Sequence, residues 1–184
     1  MCIRDRDVDG VIISDYGKGV INKDLLDSLD SIYENNERSL KVLIDPKNIN
    51  FNNYNKASFI TPNKKEAQEA SGVKISNPED AIKVGNILLE KWNSDSVLIT
   101  LGEMGMVFVS RENSREESFH IPTQAREVYD VSGAGDTVAA SFLLSSVAGA
   151  SNKDSADIAN KAAGIVIKEV GTVVISKEKL LAEL

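Results

Sequence analysis

One cysteine, one histidine and one tryptophan stand in 184 residues. A lone Cys2 excludes an internal disulfide and fits a reducing, cytoplasmic setting. With His120 the sole imidazole, no His/Cys cluster exists to hold zinc, and a lone histidine on an edge strand is usually structural. No run reaches the roughly 18 apolar residues of a membrane helix. Met1 to Asp9 has charges but no apolar stretch of the kind that starts a secretory signal. There is no Gly-x-x-x-x-Gly-Lys-Ser/Thr, so a P-loop is excluded, and no Gly-x-Gly-x-x-Gly follows a strand. Basic charge is short too: 21 Lys and Arg face 28 Asp and Glu, a net charge of −7. That argues against nonspecific nucleic-acid binding, though not against a local anion site.

What is present reads as an α/β chain. Val11-Ile12-Ile13, Val42-Leu43-Ile44, Ser58-Phe59-Ile60 and Val97-Leu98-Ile99 are short apolar runs that end in polar or turn residues. Met106 to Val109 reads as a hairpin partner of the last of these, and Phe119 to Ile121 as an edge strand. Between them lie helical patterns. The first runs from an Asn22 cap to about Glu37, with Leu25, Leu26, Leu29 and Ile32 on one face. Asn63 opens a short helix to about Ala70, ended by Gly72. Pro78 starts a third, carrying Ile82, Ile87, Leu88 and Leu89, with Trp92 packing at its end. Two more follow at about Ala134–Gly149 and Lys153–Glu169, and a last short one at Lys177 to Leu184. Strands alternating with helices predict a doubly wound, mostly parallel sheet with helices on both faces. In such sheets ligands bind at the C-terminal ends of the strands. Asp15, Asp45, Thr61–Asn63 and Thr100–Gly102 all fall there.

The chemistry concentrates in Asp130-Val131-Ser132-Gly133-Ala134-Gly135-Asp136, which leads into an apolar helical pattern from Val138 to Ala148. Gly-Ala-Gly carries little side-chain bulk, so its N–H groups can approach an anion closely. The new helix aims its positive dipole end at the same point. Gly133, Ala134 and Gly135 are therefore expected to form an anion hole for charge developing on a transferred group. Asp136 would stand beside it as the base that takes a proton from an attacking hydroxyl. Taken alone, an Asp in a first helical turn is ordinary, because the dipole favours it anyway. Asn63 and Glu66, three apart, share a helix face, and by spacing alone they are a capping box.

This heptapeptide resembles the Asp-Thr-x-Gly-Ala-Gly-Asp signature of the ribokinase-like (PfkB) carbohydrate kinases, with Val131 and Ser132 a mild departure. Asp15-Tyr16-Gly17-Lys18-Gly19, Asp45-Pro46-Lys47, Thr61-Pro62-Asn63-Lys64-Lys65-Glu66, Thr100-Leu101-Gly102 and Pro122-Thr123-Gln124-Ala125-Arg126-Glu127-Val128-Tyr129-Asp130 extend the resemblance, in order, over nearly the whole chain. Within the family they are most similar to the branch acting on heptose 7-phosphate. The resemblance implies ATP as phosphate donor, Mg²⁺ held near the phosphates by Asn63 and Glu66 through water, and a sugar phosphate as acceptor. It implies nucleotide contacts at Thr100, Gly102 and Gly105, with Asn160 on the adenine side. Asp15, Lys18, Lys47 and Asp130 are expected on the acceptor side. For Lys47 a solvated surface role weighs about equally, and for Asp130 a loop-capping one. Residues 1–184 are expected to be the C-terminal portion of a single kinase domain, with Met1 to Arg6 foreign to the pattern. Other sugar or nucleoside kinases of the family, and a non-catalytic nucleotide-binding fragment, are the alternatives. An exposed sheet edge would favour self-association, with a homodimer as the expected form.

Overall fold

The computed structural model describes residues 8–34, 40–112, 115–123 and 130–184. Six strands form one sheet in sequence order: β1 Gly10–Ser14, β2 Lys41–Asp45, β3 Phe59–Ile60, β4 Ser96–Thr100, β5 Met106–Glu112 and β6 Arg115–Ile121. β1 to β4 pair in parallel, and the β5–β6 hairpin adds antiparallel pairs at one side. The helices are α1 Lys23–Glu34, α2 Lys64–Ser71, α3 Pro78–Trp92, α4 Ala134–Val147, α5 Asn152–Val166 and α6 Lys177–Leu181.

Side chains of a strand point alternately to its two faces, and the core divides accordingly. Val42, Ile44, Val97, Ile99, Val107 and Val109 face one apolar cluster, with Leu26 of α1, Ala67 of α2 and Val84 and Leu88 of α3. Leu43, Leu98, Met106 and Phe108 face the other, with Val138 and Phe142 of α4 and Ala156 and Ala159 of α5. Helices thus cover both faces, and the central strands read as unbroken apolar runs. Phe142 anchors the second cluster, its ring edge-on to Phe59 at 4.9 Å. Such a pair adds about 0.5–1.5 kcal/mol beyond its burial.

Local signals set the helix ends. Asn22 caps α1 by accepting the Leu25 N–H at 3.0 Å. Asn77 and Pro78 open α3, and Asn93 closes it in the left-handed region. Gly72 does the same for α2. Two expectations need correction. Leu25 and Ile87 are exposed, because each sits beside rather than on the stripe that meets the sheet. The final strand begins at Arg115, four residues before Phe119, since its charged outer half pairs with β5 without adding apolar signal. The expected extension of α1 to Glu37 falls on residues 35–39, outside those described.

Every loop that carries a sequence motif leaves the sheet on one rim. Ser14 pairs in register with Asp45, the Asp15 N–H donates to the Asp45 carbonyl, and Asn63 bridges to Thr100. The residues after β1, β2, β3 and β4 are thereby locked side by side.

Candidate active site

On that rim lies a cleft of about 180 Å³ between the strand ends and the start of α4. Its walls include Asp15, Tyr16, Asp45, Lys47, Thr61, Asn63, Glu66, Thr100, Gly133, Gly135 and Asp136. Whole small-molecule sites run to roughly 300–1,000 Å³, so this cleft alone has room for only part of a ligand.

One wall is the N-terminus of α4. Gly133 takes φ 77 there, a left-handed turn that favours glycine, and no side chain caps the helix. A Cβ at Gly135 would point into open space, so an anion can come close to the backbone. Asp136 follows in the first turn and is exposed. Its carboxylate accepts the Tyr16 hydroxyl at 3.2 and 3.3 Å and the Ser14 hydroxyl at 3.4 Å. Hydroxyl bonds of full strength are near 2.7 Å, so an incoming hydroxyl could displace these partners.

The opposite wall is acidic. Asn63 and Glu66 form the capping box that spacing suggests. The Glu66 N–H donates to Asn63 Oδ1 at 3.0 Å, and Glu66 Oε2 accepts the Asn63 N–H at 3.1 Å. Glu66 Oε1 accepts from Lys47 Nζ at 3.1 Å. Burial first, then the charges of Glu66 and Asp136, push Asp45 up from 3.8 to about 7; Asp15 adds to this and Lys47 opposes it. Folded protein therefore holds a proton on Asp45 that the unfolded chain has released. Stability accordingly falls as pH rises from about 4 to about 7. In metal-free buffer, Asp45→Asn is expected to gain on the parent over that window and hold a constant lead above it, read as urea midpoints at about pH 4.5 and about pH 8.

These donors are hard oxygens, and the wall carries more negative charge than Lys47 balances. That suits a hydrated Mg²⁺, which keeps several waters and uses few protein ligands. Among the described residues no three His, Cys, Asp or Glu side chains converge as a direct metal cage. The fit is thus to a cation shared with phosphate, next to the uncapped helix end.

Not every expected residue reaches the cleft as foreseen. Asp15 lines it but is 4% exposed, and its carboxylate is engaged by Tyr54 Oη at 2.6 Å, Asn50 Nδ2 at 2.7 Å and the Gly17 N–H at 2.7 Å. It fastens the loop after β1 to the loop after β2, where an acceptor contact was expected. Lys18 is exposed and lies outside the cleft walls. Asp130 accepts the N–H groups of Ser132 at 2.9 Å and Gly171 at 3.1 Å, and the Ser132 backbone bond foremost holds it below the usual carboxylate range. Of its two readings, that geometry is loop-capping. Asn160 is buried and donates to the Pro122 carbonyl at 3.0 Å, tying α5 to the end of β6. Gly105, at φ 84, packs so closely on β6 that a Cβ would collide with the Ile121 carbonyl and lie 2.6 Å from the Thr123 N. Thr100 does line the cleft; Gly102, Gly105 and Asn160 do not. Gln124 to Tyr129 lie outside the described residues.

Ser14, Tyr16 and Tyr54 went unassigned in the sequence reading. Tyr16 and Ser14 stand within or beside the Asp15–Gly19 motif, which was the available signal. Tyr54 is 39 residues from Asp15, and nothing in the chain announces that pairing.

Comparison with known proteins accords with this arrangement. The model of the pfkB family carbohydrate kinases matches residues 7–179. The bifunctional protein HldE of Desulfatibacillum aliphaticivorans is 46% identical over 176 residues, which cover 96% of this chain and 35% of that protein. HldE of Shewanella piezotolerans is 39% identical over 178 residues, 97% of this chain and 36% of that one. The chain thus spans about a third of the length of the curated relatives it matches. Among solved structures, phosphofructokinase-2 from Escherichia coli in complex with potassium matches at TM-score 0.78 and 18% identity, over 94% of this chain and 55% of that one. Ribokinase from Arabidopsis thaliana complexed with ribose and ATP matches at TM-score 0.76 and 18% identity, over 95% and 55%. Those two likenesses establish the fold, ribokinase-like. Because the family model spans nearly all of it, the chain belongs to the pfkB family of carbohydrate kinases.

Proposed function

We propose that this protein transfers the γ-phosphate of ATP to a hydroxyl of a phosphorylated sugar. The carrying observation is the pairing of Asp136 with an uncapped, small-residue helix start in one cleft. The acceptor hydroxyl takes the place of Tyr16 at Asp136, which orients it and accepts its proton as the oxygen attacks the γ-phosphorus. The N–H groups at the start of α4 stabilise charge on the phosphoryl oxygens. Asn63 and Glu66 hold a hydrated Mg²⁺, which supplies charge neutralisation to the phosphates. Thr100 stands on the nucleotide side, and Lys47 on the phosphates. Positioning and electrostatics supply the rate enhancement, without a covalent enzyme intermediate.

The acceptor is proposed to be D-glycero-β-D-manno-heptose 7-phosphate, phosphorylated at O1 to the 1,7-bisphosphate, a step toward ADP-heptose and lipopolysaccharide core. High identity to HldE proteins and the Asp45-Pro46-Lys47 and Pro122-Thr123-Gln124 segments support this branch over ribose or fructose kinases. ADP release from Mg·ATP tests it. Heptose 7-phosphate is expected to stimulate release well above ribose or fructose 6-phosphate. Equal stimulation by the three would reject the heptose assignment and leave the sugar-kinase reading.

A further inference from the structure

Lys47 is the one cationic side chain among the described residues that line the cleft, against the carboxylates of Asp15, Asp45, Glu66 and Asp136. Its backbone is fixed: the Lys47 N–H donates to Tyr54 Oη at 2.7 Å, and Tyr54 is buried against Trp92. Its side chain is 46% exposed, whereas that of Glu66 is 9% exposed. Glu66 is also immobilised at one oxygen by the capping box, leaving Oε1 to face the cleft with Lys47 Nζ at 3.1 Å. The pair is thus a rigid buried acceptor and a flexible cation on a fixed stem.

We propose that Lys47 is a tethered counter-cation that occupies Glu66 in the metal-free protein, gives up that oxygen when a divalent cation arrives, and turns to the phosphates of the nucleotide. The inference rests on the metal–nucleotide reading above. Two observations favour exchange over a permanent structural bridge. The Lys47 side chain is 46% exposed on a flexible four-carbon stem, so its ammonium can turn to water or phosphate once another cation takes its place at Glu66. A dication brings twice the charge to a cleft lined by the acidic side chains of Asp15, Asp45, Glu66 and Asp136. Because Lys47 and the metal compete for one oxygen, each weakens the other's hold by the same factor, and couplings of this kind commonly amount to about 5–150-fold.

The test is binding of Mn²⁺ alone, followed by the electron-spin signal of the free ion, to the parent protein, Lys47→Met, Lys47→Arg and Lys47→Met/Glu66→Gln. Thermal unfolding checks that each is folded. Lys47→Met is expected to bind Mn²⁺ about tenfold more tightly than the parent. Lys47→Arg restores the weaker parental binding, because its charge still competes. Removing Glu66 as well abolishes the gain. Mg·ATP moves the opposite way, binding Lys47→Met more weakly, because the phosphates lose their ammonium. Equal or weaker Mn²⁺ binding by Lys47→Met overturns the proposal while leaving the metal site intact. Absence of Mn²⁺ binding in all four proteins overturns it too, and removes the metal role of Glu66 with it.

Discussion

Asp136→Asn lowers sugar-dependent turnover by about 10²- to 10⁴-fold, the range a positioned general base supplies. Nucleotide affinity stays near the parental value. The amide has the shape of the carboxylate and can keep the bonds from Tyr16 and Ser14, so the start of α4 is undisturbed. What it lacks is the basicity to take the acceptor's proton. Were Asp136 merely a dipole partner of the helix, the substitution would cost about 0.3–1 kcal/mol of stability and leave turnover largely intact. The two readings therefore separate in one steady-state comparison supplemented by nucleotide titration, with the loss expected in kcat.

Trp92→Ala is expected to cost about 3–5 kcal/mol, the usual range for deleting a fully buried large aromatic side chain. Domains of this kind are stable by only about 5–15 kcal/mol, so much of the margin would go. Trp92 is 0% exposed at the end of α3. Its ring meets Phe51 at 5.8 Å and Tyr54 at 6.2 Å, and its Nε1 donates to the Phe51 carbonyl at 2.9 Å. Removal opens a cavity and strips a buried carbonyl of its partner. The same side chain braces the loop from Lys47 to Tyr54, so surviving activity should fall along with the urea midpoint. Trp92→Phe keeps most of the packing but loses the donor, and its expected cost is about 1–3 kcal/mol, the penalty for an unsatisfied buried carbonyl. Urea unfolding of the two variants, with unchanged slope, checks the ordering.

Much of this architecture is legible in the chain because local signals and global fold agree. Asn63 with Glu66, Pro78 and Gly72 mark helix ends through the backbone chemistry of a few neighbouring residues, and the structure uses each. The apolar runs of β2 and β4 are equally plain, since both faces are covered. β6 is less so: an edge strand with charged outer residues is specified by its partner β5, and only contact reveals it. The site divides the same way. The helix start at Gly133–Asp136 is a contiguous device, so its position follows from sequence. Asp15 reaches the cleft as its place after β1 suggests, but the groups that engage its carboxylate, Asn50 and Tyr54, come from a distant loop that no local pattern announces. Asn160 and Gly105 look like ligand contacts by family pattern, but packing against the end of β6 accounts for their placement. Lys47 and Glu66 lie 19 residues apart, joined because β2 and β3 are neighbours in the sheet.

Phosphoryl transfer from ATP to a sugar hydroxyl at Asp136 is open to an ADP-release assay with inorganic phosphate followed in parallel. ADP release is expected to depend on heptose 7-phosphate, with no matching rise in inorganic phosphate because the γ-phosphate stays on the sugar. ADP release from the folded protein that ignores the sugar, or that liberates phosphate one for one, would contradict it.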